Sequence, residues 1–122
     1  MTYEYYSPPM SYDGIVETQG EIIKDWTLGH YQGDYVYLLK NGDKYAFTVI
    51  GYGSCSGCDA LEGCGNDEEF NELKDAIVSG IVWGTKQDVY DYVNNQEANR
   101  WYFHEEDWVD IRKEILDLLS GN

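Results

Sequence analysis

The residues best suited to chemistry lie in one stretch, positions 51–65, which holds all three cysteines and five of the thirteen glycines. Cys55-Ser-Gly-Cys58 is a C-x-x-C pair, and Cys64 follows after five residues. Thiolates in a tight turn can share one zinc ion, and the glycine between them lets the backbone fold round the metal. The fourth ligand would be His30 or His104, the only two histidines. A structural zinc on Cys55, Cys58 and Cys64 is therefore one reading of the stretch. A thiol-redox pair is a second; it calls for a helix N-terminus that lowers a thiol pKa, and the acidic residues Asp59 and Glu62 work against that. A third is three reduced thiols packed at a junction between strands and helices. An iron–sulfur cluster lacks its fourth cysteine.

Other templates fail on residue type. A zinc deaminase needs H-x-E ahead of P-C-x-x-C, whereas His104-Glu105 follows the cysteines and no proline precedes Cys55. A calcium loop begun at Asp59 would put Leu61, Gly63 and Phe70 at ligand positions. Neither a phosphate-binding G-x-x-x-x-G-K nor a G-x-S-x-G elbow occurs. With carboxylates this numerous, pairs arise by chance and do not indicate acid–base catalysis.

The carboxylates do form a pattern of another kind. Glu106, Asp110, Glu114 and Asp117 recur at steps of four, four and three, and Glu68, Glu72 and Asp75 at four and three. On helices, each set would be a negative row with about 6 Å between successive charges. Like charges at i and i+4 cost a few tenths of a kcal/mol each, so a merely soluble face would mix signs. Spaced carboxylates on a rigid scaffold can imitate a nucleic-acid backbone, which carries one charge per about 1.7 Å of duplex axis. The competing explanation, acids favouring helix starts, does not reach Asp110, Glu114 or Asp117.

These residues need elements to position them. Residues 21–28, 34–40 and 43–51 read as strands, the last two rich in aromatic and β-branched residues. Asn41-Gly42 between them signals a type I′ hairpin, which would pair Leu38 with Tyr45 and Val36 with Phe47. These four and Val49 are then the expected core face. Tyr35, Tyr37, Ala46 and Thr48 form the other face, expected to be partly covered or wet. A helix is predicted over 67–79, with Asn66 as cap, Glu69 completing a capping box, and Phe70, Leu73, Ala76 and Ile77 facing inward. A second starts at Thr85 with Asp88 in the box position and ends near Asn95. A third spans 105–119, with Trp108, Ile111, Ile115, Leu118 and Leu119 inward. Residues 100–103 read as a short edge strand. The Tyr/Pro-rich residues 1–13 read as an extended arm.

The order of strands first and helices after gives an α+β fold: an antiparallel sheet of three to four strands in the N-terminal half, packed by two or three C-terminal helices on one face. At 122 residues, with no internal repeat or linker, the chain is expected to be a single domain over 1–122. Its formal net charge is −15, of which −11 falls in residues 59–122. A field of this sign repels nucleic acid and anionic membranes and attracts basic surfaces. No apolar run approaches the roughly 20 residues of a membrane span. The first residues have neither a basic start nor an apolar middle, and an odd cysteine count does not suit a disulfide framework, so a reducing cytoplasm is expected.

The run Gly-Tyr-Gly-Ser-Cys-Ser-Gly-Cys-Asp-Ala-Leu, following a tyrosine-rich hairpin, resembles small uncharacterised proteins encoded by bacteriophages, over roughly residues 34–64. The resemblance implies a phage product made in a bacterial cytoplasm. Small acidic phage proteins include inhibitors of host defence nucleases, of the anti-CRISPR and antirestriction kinds, some of which mimic DNA. The expected function is thus a non-enzymatic acidic inhibitor. It would use Glu68, Glu72, Asp75, Glu106, Asp110, Glu114 and Asp117 to occupy the basic nucleic-acid-binding surface of a host protein. A small zinc-binding domain and a thiol-redox protein remain the alternatives.

Overall fold

The computed structural model describes residues 6–29, 33–53, 59–96 and 105–121, and the backbone alone at 105 and 106. In chain order the elements are α1 (Tyr12–Glu17), β1 (Glu21–Gly29), β2 (Gly33–Asn41), β3 (Lys44–Tyr52), α2 (Asp67–Ser79), β4 (Val82–Gly84), α3 (Lys86–Asn94) and α4 (Glu105–Ser120). The four strands form one sheet in the order β1-β2-β3-β4, with every neighbouring pair antiparallel. This is the α+β fold expected from the order of the patterns. Residues 100–103 and the first five residues of the Tyr/Pro-rich arm lie outside the described residues.

The sheet is covered on both faces, not on one. Val36, Leu38, Phe47 and Val49 pack under α3 and α4, where Val89, Val93, Trp108, Ile111, Ile115 and Leu119 meet them. The opposite face carries Tyr35, Tyr37, Leu39, Ala46 and Ile50, and packs against α1 and α2 through Tyr12, Ile15, Val16, Phe70 and Ile77. Tyr37 and Ala46, expected on a face partly covered or wet, are both fully buried. The cause is visible in β2, whose apolar residues run unbroken from Tyr35 to Leu39 instead of alternating; such a run is the mark of a strand buried on both sides. Leu118, expected inward on α4, is 41% exposed at the edge of that helix's apolar face.

The hairpin differs from expectation by two residues of register. Asn41 pairs with Lys44, Leu38 with Phe47 and Val36 with Val49, so the loop is Gly42-Asp43. Gly42 has φ of 65°, and no non-glycine among the described residues has positive φ. Positive φ at the first central residue alone is the requirement of a type II′ turn, which glycine meets there. A type I′ turn would have placed Asn41 at positive φ as well. A shift of two leaves every side chain on its original face, so the inward set survives the change. Nothing lies within 4 Å of a Cβ built on Gly42. Gly42→Ala is accordingly expected to cost about 1 kcal/mol in thermal or chemical denaturation, from backbone strain alone.

The helix starts follow local chemistry. Asn66 Oδ1 accepts from the Glu69 N–H at 2.9 Å, and the Glu69 carboxylate meets the Asn66 side-chain amide at 3.4 Å. At α3 the reciprocal capping box is complete: Thr85 Oγ1 accepts from the Asp88 N–H, and the Asp88 carboxylate accepts from the Thr85 N–H. Ser11 caps α1 by accepting from the Gly14 N–H at 3.2 Å, so Tyr12 and Asp13 belong to a helix and not to an extended arm. In β1, Ile22 faces Leu39 and Lys24 faces Leu38, which leaves Ile23 as an extra, bulged residue. No helix among the described residues is long and apolar enough to cross a membrane.

Candidate functional site

Of the thiol set, the structure describes Cys64 alone; Cys55, Cys58, His30 and His104 lie outside the described residues. Cys64 is buried and unpaired, and its Sγ–H donates to the Ala60 carbonyl at 3.3 Å. Burial pushes its pKa up, and the nearby carboxylates Glu69 and Asp59 push in the same direction. A redox cysteine needs the thiolate favoured, and here the neutral thiol is favoured. Cys64 as placed is a packing group of the core beneath α1 and α2. Among the described residues no three or more His, Cys, Asp or Glu side chains come together closely enough to hold one metal ion.

The two acidic rows fall on opposite sides of the molecule. Helix α2 turns Phe70 and Ile77 to the sheet and leaves Glu68, Glu72 and Asp75 exposed on the far side. Helix α4 covers the other sheet face, with Asp110 and Asp117 exposed. Glu114 leaves the α4 row. One of its oxygens accepts from Trp26 Nε1 at 2.7 Å, and the other holds Lys24 Nζ on β1. The side chain of Glu106 lies outside the described residues. Lys24–Glu114 is the one ion pair between described residues. The α2 row therefore keeps its charge unpaired among them, and no flat partner surface can touch both rows at once.

A feature that the linear pattern did not reveal is a cleft of about 300 Å³ at the edge of the α1 and α2 layer. Its aromatic wall comes from three separate elements. Tyr35 of β2 stacks on Tyr52 of β3, with ring centroids 4.4 Å apart and planes 26° apart. Tyr12 of α1 leans on Tyr35 at 5.7 Å and 49°. The sheet register sets Thr27 opposite Tyr35 and Asp25 opposite Tyr37, which brings β1 into the rim. Asp13 joins from α1, where one carboxylate oxygen accepts from the Tyr37 hydroxyl at 2.5 Å.

The floor is organised by Asp59, which is only 5% exposed. Its carboxylate accepts the Tyr12 hydroxyl, the Gly53 N–H at 2.8 Å and the Glu62 N–H at 3.0 Å. The Tyr12 hydroxyl in turn accepts from the Leu61 N–H at 3.1 Å. One buried carboxylate thus ties α1, the end of β3 and the turn at 59–62 into a single knot. Glu62 completes the acidic rim. The carboxylates of Asp25 and Glu62 and the Tyr35 hydroxyl make no hydrogen bond to a described residue, and no described lining residue is basic. The pKa of Tyr35 is raised by its burial first, then by Tyr52, Asp59, Asp13 and Glu62. The field of the carboxylates converges on that ring.

The sequence holds twelve tyrosines, but the wall of the cleft draws on positions 12, 35 and 52, which no short motif connects. Comparison with known protein families, curated proteins and solved structures gave no match. The fold and the residues are the whole basis for a functional reading.

Proposed function

We propose that this chain is a non-enzymatic acidic binding protein. Its α2 face docks on a basic nucleic-acid-binding surface of another protein, in the manner of a phage-encoded inhibitor of a host defence enzyme of the anti-CRISPR or antirestriction type. The observation that carries the reading is the row Glu68, Glu72 and Asp75, exposed on one side of α2 and without an ion pair among the described residues. Its spacing of about 6 Å and 4.5 Å along the axis gives a rigid line of charge. A row of that kind steers association with a positive groove and competes there with phosphates. The reading narrows the expected contact set to α2, because Asp110 and Asp117 face the other way and Glu114 is held by Lys24 and Trp26.

The test is inhibition of purified restriction endonucleases and RNA-guided nucleases, assayed at low and at physiological salt. At about 50 mM salt the protein should block DNA binding by at least one of them, and the block should weaken steeply as salt rises. The triple variant Glu68→Lys, Glu72→Lys, Asp75→Lys should lose about a hundredfold in apparent affinity. Inhibition that survives the charge reversal, or a panel in which no enzyme is inhibited, would sink the proposal.

A further inference from the structure

We propose that the tyrosine-walled cleft is a socket for a guanidinium group, presented as an arginine side chain by the basic partner. This rests on the reading that such a partner docks, and it gives that docking a specific anchor beside the general charge of α2. Cleft and α2 belong to the same layer: α1, which supplies Tyr12 and Asp13, packs with α2 in one core. The Tyr6 hydroxyl also bonds Asp67 at the start of α2, at 2.7 Å.

Two independent features select the occupant. The first is the wall. Tyr12, Tyr35 and Tyr52 line it with three aromatic rings in mutual contact, and aromatic rings attract a cation and stack with a planar guanidinium. The second is the rim. The carboxylates of Asp25 and Glu62 have no hydrogen-bond or ion-pair partner among the described residues, and Asp13 commits one oxygen to Tyr37. These carboxylates stand round the cavity rather than closing on a point, since no three potential ligands among the described residues meet as a metal site. A spread of acceptors suits five N–H donors in a fork better than it suits one ion. The size agrees: about 300 Å³ is at the small end of ligand cavities and admits one side chain. The rings are held from behind, Tyr52 by its bond to the Leu28 carbonyl at 2.8 Å and Tyr12 by Asp59, so the socket is formed before the guest arrives.

The probe is N-acetyl-arginine amide, titrated while the ring resonances of Tyr35 and Tyr52 are followed by NMR, with N-acetyl-lysine amide and magnesium as parallel arms. The arginine probe should shift those rings saturably, with half-saturation on the order of 1 mM. The lysine probe should bind several-fold more weakly, and magnesium should not compete. Asp25→Asn with Glu62→Gln, both at exposed positions, should weaken the arginine probe about tenfold. Thr27→Lys, which tethers an ammonium at the rim, should block it. The α2 charge-reversal variant should bind the probe as the wild type does. No saturable shift, equal weakening by the α2 variant, or equal competition by magnesium overturns the assignment. Probe binding that fails while α2 reversal still abolishes inhibition removes the socket alone. Probe binding that succeeds while α2 reversal has no effect removes the docking face alone.

Discussion

Asp59→Ala is expected to lower stability by about 4 kcal/mol, because it leaves three donors in or near the core without their acceptor, each worth roughly 1–3 kcal/mol. The carboxylate is buried and accepts the Tyr12 hydroxyl and the Gly53 and Glu62 backbone N–H groups. The last two are only part-buried and recover some hydration, which is why the expected loss falls short of the full sum. Asp59→Asn keeps one acceptor oxygen and turns an amide N–H₂ toward a backbone donor, so about half the loss is expected. Denaturant titration of the three proteins checks the order. A loss below about 1 kcal/mol for the alanine variant would mean that the turn at 59–62 is held by something else. The local consequence is as informative as the total. Tyr12 is anchored to the floor of the cleft through Asp59, so the Tyr12–Tyr35 contact should loosen before the α3 and α4 side of the sheet responds.

The elements that could be read along the chain are those whose signals are local. Helix α2 begins and ends where the Asn66 cap and the inward spacing of Phe70 and Ile77 put it, and α3 where Thr85 and Asp88 form their box. The strands β2 and β3 were legible from their composition, and the exchange of one turn type for another moved the register without moving a face. What escaped reading was decided by contacts distant in sequence. Helix α1 has six residues and contains Gly14, so propensity does not nominate it. It is helical because Ile15 and Val16 are fully buried against the sheet and Tyr12 nearly so. Strand β4 is three residues long, too short to show a period, and exists by pairing with Tyr45, Ala46 and Phe47.

The same division explains the site. The acidic rows were visible because helical spacing is a linear rule, but which sides of the molecule they face was not. Only the packing of α2 and α4 on opposite sheet faces separates them, and only the fold brings Glu114 to Lys24 and Trp26. The cleft joins α1, three strands and a turn, so no window of sequence contains it. The second covered face was legible in principle. Tyr35–Leu39 is a continuous apolar run, and reading it as an alternating strand is what left one side expected to be only partly covered or wet.

Raising the pH above about 10 should destabilise the protein steeply, and two buried phenols set the slope. Tyr37 is fully buried and donates to the Asp13 carboxylate; Tyr12 is 7% exposed and donates to Asp59. Burial is the first cause that raises both pKa values. Asp13 adds to the effect at Tyr37. At Tyr12, Asp59 adds to it while the Leu61 N–H opposes it. In the unfolded chain each phenol ionises near its ordinary value of about 10. The folded state holds the proton more tightly, so the stabilisation is fully present below that pH and is lost as pH rises toward the folded pKa. Each group contributes a slope of about 1.4 kcal/mol per pH unit, so the pair gives nearly 3. Two to three units above pH 10 thus remove about 6–8 kcal/mol, enough to unfold a domain in the lower third of the ordinary range of about 5–15 kcal/mol, and the net charge of −15 adds self-repulsion as more tyrosines ionise. Circular dichroism and tyrosinate absorbance, followed together, should show exposed rings titrating first and the buried pair ionising only with loss of structure. Tyr37→Phe should cost about 1 kcal/mol at neutral pH, through the lost bond to Asp13, and should remove about half the alkaline slope. Ionisation of all twelve tyrosines near pH 10 with the fold intact would show that neither phenol is held neutral by its surroundings.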